Sequence, residues 1–169
     1  MNFENIFKLS KENEWFKPKQ LGMYKDFAFR AAQESSALRK KAGAVILSPN
    51  GSLFIGYNGT PSGHDNCCED ENFITKDTVI HAEDNAVRKM INENVDPKDS
   101  IIFITDSPCN RCVTNVILKY GIKAVIYFRL YRDLSPINTL NDNGIITQYV
   151  DDNYIEELRK HILLDSLKL

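Results

Sequence analysis

Leu21, Tyr24, Phe27, Ala28 and Ala31 recur at intervals of three and four residues and predict an amphipathic helix over residues 21–38. The period then changes. Ala44-Val45-Ile46-Leu47 is a short unbroken apolar run, read as a buried strand, and residues 53–57 form its return after the turn Ser48-Pro49-Asn50-Gly51. Residues 58–77 are rich in Gly, Asn, Asp and Ser and read as a loop. Further along, the pattern predicts a helix over 81–92, a strand over 101–105, a helix over 108–120 capped by Gly121, and a strand over 125–128. Residues 134–142 read as a short helix or loop and 145–150 as a fifth strand. Ile155, Leu158 and Ile162 mark a terminal helix. Residues 1–20 are polar with scattered aromatics (Phe3, Phe7, Trp15, Phe16) and read as an N-terminal extension packed on a domain of residues 21–169. The order of elements predicts an α/β fold, a three-layer α/β/α sandwich around a mixed five-stranded sheet. No internal repeat, low-complexity tract or second domain is visible.

Composition narrows the function classes. The 169 residues suffice for one domain with a proper core. The formal net charge is −2 with no long run of like charge, which argues against a nucleic-acid partner or a membrane surface. No apolar stretch approaches the length of a membrane span. Met1-Asn2-Phe3-Glu4-Asn5 lacks the basic and apolar regions of a secretory signal. Of four cysteines, Cys109 and Cys112 sit in a metal-binding spacing, while Cys67 and Cys68 are adjacent and poorly placed to bond each other. That usage predicts a reducing, cytoplasmic location.

The candidate chemistry lies in His81-Ala82-Glu83 and Pro108-Cys109-Asn110-Arg111-Cys112. H-x-E followed by P-C-x-x-C is the signature of zinc-dependent nucleobase deaminases. Cys109 and Cys112 are three apart and share a face of the first turn of their helix. His81 and Glu83 are two apart, so both reach one centre only from the start of a helix, where side chains lean toward the N-terminus. The spacings therefore predict two helix N-termini converging on one metal, with their dipoles favouring the thiolates. His81, Cys109 and Cys112 leave the fourth position of a tetrahedral zinc open, whereas a structural site would want a fourth Cys or His and has no use for Glu83. Two thiolates nearly cancel the charge of the ion, so its water is acidified less than at a three-histidine site, and Glu83 becomes the base that carries protons in hydrolytic deamination.

The surrounding sequence resembles the deoxycytidylate (dCMP) deaminase family of the cytidine deaminase-like zinc superfamily, over about residues 22–150. The carriers are Arg39-Lys40-Lys41-Ala42-Gly43-Ala44-Val45, Gly56-Tyr57-Asn58-Gly59-Thr60-Pro61-Ser62-Gly63, Asp65-Asn66-Cys67, the zinc motif and Leu130-Tyr131-Arg132-Asp133. Ala42 departs from the family's more frequent valine. The resemblance implies conversion of dCMP to dUMP and ammonia, which feeds thymidylate synthesis, in a homo-oligomer that is often a hexamer. It implies substrate contacts from Asn58, Ala82, Ser107, Arg39, Tyr131 and Arg132. Arg39 and Arg132 go to the 5′-phosphate, which suits the two-pronged guanidinium, with adjacent subunits as a source. Read by itself, Asn58 is equally a turn residue of Asn-Gly; the family's asparagine here contacts the deoxyribose. Tyr131 packs on the pyrimidine, binds phosphate, or is an ordinary half-buried tyrosine.

Gly63, His64, Asp65 and Asn66 resemble part of an effector site in relatives activated by dCTP and inhibited by dTTP. Acidic residues of this loop are candidates for Mg2+ on a triphosphate, and His64, Cys67 and Cys68 for a second zinc. The plainer alternative is a loop ordered by Asx-turns around a buried thiol. The rival functions are deamination of a free nucleoside, of dCTP, or of a base in RNA or single-stranded DNA, and a zinc-stabilised binding module without catalysis. The presence of Glu83 speaks against the last.

Overall fold

In the computed structural model, which describes residues 1–167, the apolar run Gly43–Leu47 forms β1 and is buried at every position. A run without alternation belongs to a strand covered on both faces. β2 (Leu53–Tyr57) and β3 (Ile101–Ile104) flank it, both antiparallel. β4 (Ala124–Tyr127) and β5 (Ile146–Tyr149) continue parallel to β3, giving the order β2-β1-β3-β4-β5.

Register assigns the faces. Val45 lies opposite Phe103 and Leu47 opposite Ile101, and these four enter one core with α1 (Glu4–Glu12), α2 (Leu21–Gln33) and α6 (Asp152–Ser166). The alternate residues Ala44, Ile46, Ile102 and Ile104 enter a second core. It is closed by α3 (Ala82–Asn92), α5 (Ser135–Asp142) and α4, which runs as an α-helix over Asn110–Cys112 and a π-helix over Val113–Leu118. The predicted three-layer α/β/α sandwich with a mixed five-stranded sheet is the observed fold. Among the described residues no helix is long and apolar enough to cross a membrane.

Three elements differ from the sequence reading. α2 stops at Gln33, not 38. Ser35 Oγ donates to the Asn58 carbonyl (2.7 Å) and accepts from Ala37 N–H (3.2 Å), a side-chain alternative to helical bonding that turns residues 34–42 toward the sheet end. α4 starts at Asn110 with Cys109 as its N-cap, and its π-helical turns were not foreseen. α1 was missed: Ile6 and Leu9 are fully buried and belong to the same core as Leu21 and Tyr24. Gly121 caps α4 as expected, with φ +66° and the two bonds Ile122 N–H to Ile117 O and Gly121 N–H to Leu118 O.

Candidate active site

α3 approaches the sheet unusually closely. A Cβ on Gly56 would lie 2.3 Å from the Ala82 carbonyl oxygen and 2.5 Å from the Ala86 nitrogen, so only glycine admits this contact. It delivers the start of α3 to the end of the sheet, where β3 releases the chain into Thr105-Asp106-Ser107-Pro108. His81 is the extended N-cap of α3 (φ −74°, ψ 158°) and Cys109 the extended N-cap of α4 (φ −85°, ψ 164°). His81 Nδ1 lies 3.2 Å from Cys112 Sγ and 3.5 Å from Cys109 Sγ. The three ligand atoms all fall within 4.8 Å of one another, the only such trio of potential ligands among the described residues. A tetrahedral zinc with Zn–S near 2.3 Å and Zn–N near 2.0 Å spaces its donors by roughly 3.5–3.8 Å. The two Nδ1–Sγ separations, 3.2 and 3.5 Å, lie close to that spacing, so one imidazole and two thiols fit the ion.

The electrostatics fit the same ion. Hydrogen bonding from the Cys112 thiol brings Cys109 down to about 3, with help from His81, while Cys112 is pushed up by sharing that proton and by burial. The hydrogen bond to Cys109 in turn raises His81. A divalent cation held by His81, Cys109 and Cys112 would take the place of the shared proton and leave two thiolates. Glu83, 8% exposed, is not part of the trio. Burial raises its carboxyl above the usual carboxylate range, opposed first by the charge of His81.

Asn58, Ala82, Ser107, Arg39, Tyr131 and Arg132 all line one cavity of about 550 Å3 together with His81, Glu83 and Cys109. Cys112, fully buried, lies behind them, toward a second hollow of about 360 Å3 between α3 and α4. Asn58 braces the cavity wall: its Oδ1 accepts from Ala42 N–H (2.8 Å) and its Nδ2 donates to the Lys40 carbonyl (2.9 Å). One N–H and one lone pair of the amide remain for a ligand. Ser107 Oγ accepts from Tyr131 N–H (2.8 Å) and fixes the opposite wall. Arg39 and Arg132 are exposed, and neither is in an ion pair among the described residues.

Two residues of this wall were not assigned a role from sequence. Lys40 Nζ sits 3.8 Å from the centroid of the Tyr131 ring and 3.3 Å from Asp106. Asp106, whose side chain is 13% exposed, also holds Arg129 at 2.8 Å. The signal for Asp106 was positional: an acidic residue just past the carboxyl end of β3, where α/β sheets bind ligands.

Gly63, His64, Asp65 and Asn66 are exposed and do not line this cavity. Asp65 takes Cys67 N–H on its side chain (3.4 Å) and Thr60 Oγ1 on its carbonyl (2.6 Å). The candidate second zinc on His64, Cys67 and Cys68 finds no ligand cluster among the described residues; Cys67 bonds the Glu69 carbonyl and Cys68 is buried against Ser36. Mg2+ likewise lacks support. Glu69 binds the backbone of Leu38 and Arg39, and Asp70 that of Asn72 and Ile74, so neither carboxylate faces an open cation site.

A family model described as the cytidine and deoxycytidylate deaminase zinc-binding region matches residues 18–129. The deoxycytidylate deaminase of Schizosaccharomyces pombe is 29% identical over 148 residues, covering 80% of this chain and 45% of that protein. The human deoxycytidylate deaminase is 35% identical over 112 residues, 59% of each chain. The chain thus spans about half the length of these curated relatives. Among solved structures, the dCMP deaminase of cyanophage S-TIM5 in complex with dCMP and dUMP superposes with a TM-score of 0.74 at 38% identity, covering 80% of this chain and 99% of that one.

Proposed function

The chain belongs to the zinc-binding cytidine and deoxycytidylate deaminase family, and from that premise we propose that it hydrolyses dCMP to dUMP and ammonia. One observation carries the reading. A single cavity joins His81, Cys109 and Glu83, with Cys112 of the trio directly behind, to Arg39, Lys40 and Arg132. A nucleoside deaminase needs only the first group, whereas the dianionic phosphate of a monophosphate calls for the second. The cyanophage relative, solved with dCMP and dUMP, supports the same substrate.

Zinc, when bound, acidifies a water molecule and acts as a Lewis acid. The proton traffic falls to Glu83. It takes a proton from the attacking water, passes it to ring nitrogen N3 of cytosine, and assists protonation of the amine that leaves as ammonia. Burial raises its proton affinity, which suits a group that must hold the proton between two transfers. Asn58 holds the 40–42 backbone and Ser107 the Tyr131 backbone, so each wall of the cavity is fixed in place.

The same reading includes a homo-oligomer, dCTP activation and dTTP inhibition, dUMP supply to thymidylate synthesis and a cytoplasmic location. The resemblance supports these, and four free thiols are consistent with the location. Ammonia release from dCMP, deoxycytidine, dCTP and a cytosine oligonucleotide, assayed in parallel, tests the substrate. The highest kcat/KM is expected for dCMP; a higher value for any of the other three overturns the assignment.

A further inference from the structure

Residues 37–43 carry Arg39 and Lys40 to the cavity without belonging to any helix or strand until β1 begins at Gly43. Their backbone hangs on side chains. The N–H of Ala37 is taken by Ser35 Oγ, that of Ala42 by Asn58 Oδ1 and that of Gly43 by Thr105 Oγ1. The N–H groups of Leu38 and Arg39 are both taken by Glu69. Its two carboxylate oxygens stand 3.1 and 3.2 Å from Leu38 N, and one of them 3.1 Å from Arg39 N.

Glu69 is 4% exposed and does not line the cavity, so it has no part in the chemistry derived above. Its own position is fixed. Cys68 beside it is buried with Ala37 and Val79 in a small separate cluster, and Glu69 is bridged to Thr75. Thr75 and Val79 line the cavity, so one platform shapes the wall and holds Glu69. A buried carboxylate that accepts from two successive backbone N–H groups fixes the direction of the chain there through charge-assisted bonds.

We propose that Glu69 is a positioning residue for phosphate recognition: by clamping the Leu38–Arg39 backbone it sets where the Arg39 and Lys40 cations stand relative to the buried centre. The proposal rests on the reading that this rim takes the 5′-phosphate of dCMP. It differs from a purely structural role in its selectivity. A clamp on the phosphate rim affects nucleotides and spares nucleosides, whereas a general loss of structure affects both.

The test uses Glu69→Gln, which keeps the side-chain volume, and Glu69→Asp, which keeps the charge on a shorter arm, with Arg39→Ala alongside. Steady-state constants are measured for dCMP and deoxycytidine, equilibrium binding for dUMP and deoxyuridine, and zinc content for each variant. For Glu69→Gln, kcat/KM for dCMP should fall about tenfold through KM with kcat little changed, the size expected for one weakened charge-assisted bond. dUMP binding should weaken in parallel, while deoxycytidine, deoxyuridine and zinc content stay unchanged; Glu69→Asp should be intermediate. Equal losses on nucleotide and nucleoside, no change on either, or loss of zinc or fold in both Glu69 variants would overturn the proposal. If Arg39→Ala lowers the preference for dCMP and the Glu69 variants do not, only the role of Glu69 is rejected. If Arg39→Ala leaves that preference intact, the phosphate reading of this rim fails and the proposal falls with it.

Discussion

His81 and Cys109 occupy equivalent positions on two helices: each is an extended N-cap, and Nδ1 of the one lies 3.5 Å from Sγ of the other. Two helix N-termini therefore point at one spot. Their partial positive ends favour thiolate over thiol, and a cation between them is held by ligands whose directions are set by helix geometry.

Removal of that cation should be costly and reversible. Dialysis against a chelator is expected to abolish turnover and lower the melting temperature, and one equivalent of zinc should restore both. An ion bound only by the folded state stabilises it by about 4 kcal/mol at a thousand times its Kd. Cys112→Ser removes a fully buried ligand and should abolish tight zinc binding. Full retention of one zinc per chain in that variant, by elemental analysis, would show that the trio is not the site.

Glu83→Gln should keep the zinc and lose the chemistry. The amide matches the carboxylate in shape and cannot carry a proton, so kcat should fall by about 10²–10⁴. The pH profile follows from the sign of the shift. Burial raises the Glu83 carboxyl above its ordinary value of 4.5, so as pH falls it takes up its proton earlier than an exposed glutamate. A base must start ionised; activity is therefore full above the raised pKa and lost as pH falls through it. The acid limb of kcat/KM should follow the ionisation of Glu83, and Glu83→Gln should abolish it. A variant without zinc, or one with wild-type turnover, contradicts the assignment.

The parts of this molecule that were legible in its sequence are those governed by short-range spacing. Unbroken Ala44–Leu47 marked a strand buried on both faces, and His81, Glu83, Cys109 and Cys112 carried their geometry in intervals of two and three. What stayed hidden depends on contacts across long sequence separations. Nothing near Asn58 announces that its amide holds residues 40 and 42. Nothing near Glu69 announces a bond to a backbone 30 residues earlier. The periodicity of residues 21–38 did not reveal that Ser35 would end α2 by bonding the Asn58 carbonyl. The acidic loop read as a candidate ion site because sequence shows charge without showing which N–H groups already claim it.

Gly56→Ala should damage the metal centre from a distance. The new methyl meets backbone atoms of α3 at 2.3 and 2.5 Å, which cannot yield as a flexible side chain would. α3 must shift, and His81 and Glu83 shift with it. Overpacking of this kind costs about 1–3 kcal/mol or more, read as a lower denaturant midpoint, accompanied here by weaker zinc binding. Gly59→Ala, where a Cβ meets nothing within 4 Å, is the matched control and should leave stability nearly unchanged. Equal stability of the two variants would show that the close packing of α3 on β2 is not required.

The two exposed arginines and Lys40 should not contribute equally to a bound phosphate. Lys40 is already answered by Asp106 at 3.3 Å and rests on the Tyr131 ring. Arg132 lies 5.5 Å from the same ring and is in no ion pair among the described residues. An unanswered guanidinium gains a full charge-assisted contact when a dianion arrives, whereas Lys40 must share its charge. Arg132→Ala is therefore expected to raise KM for dCMP by about 10- to 100-fold, the range for a hydrogen bond to a charged group, with KM for deoxycytidine unchanged. Arg132→Lys should recover part of the loss, because it restores charge without the two-pronged geometry. An equal loss on dCMP and deoxycytidine would remove Arg132 from the phosphate grip and leave Arg39 and Lys40 as its cations.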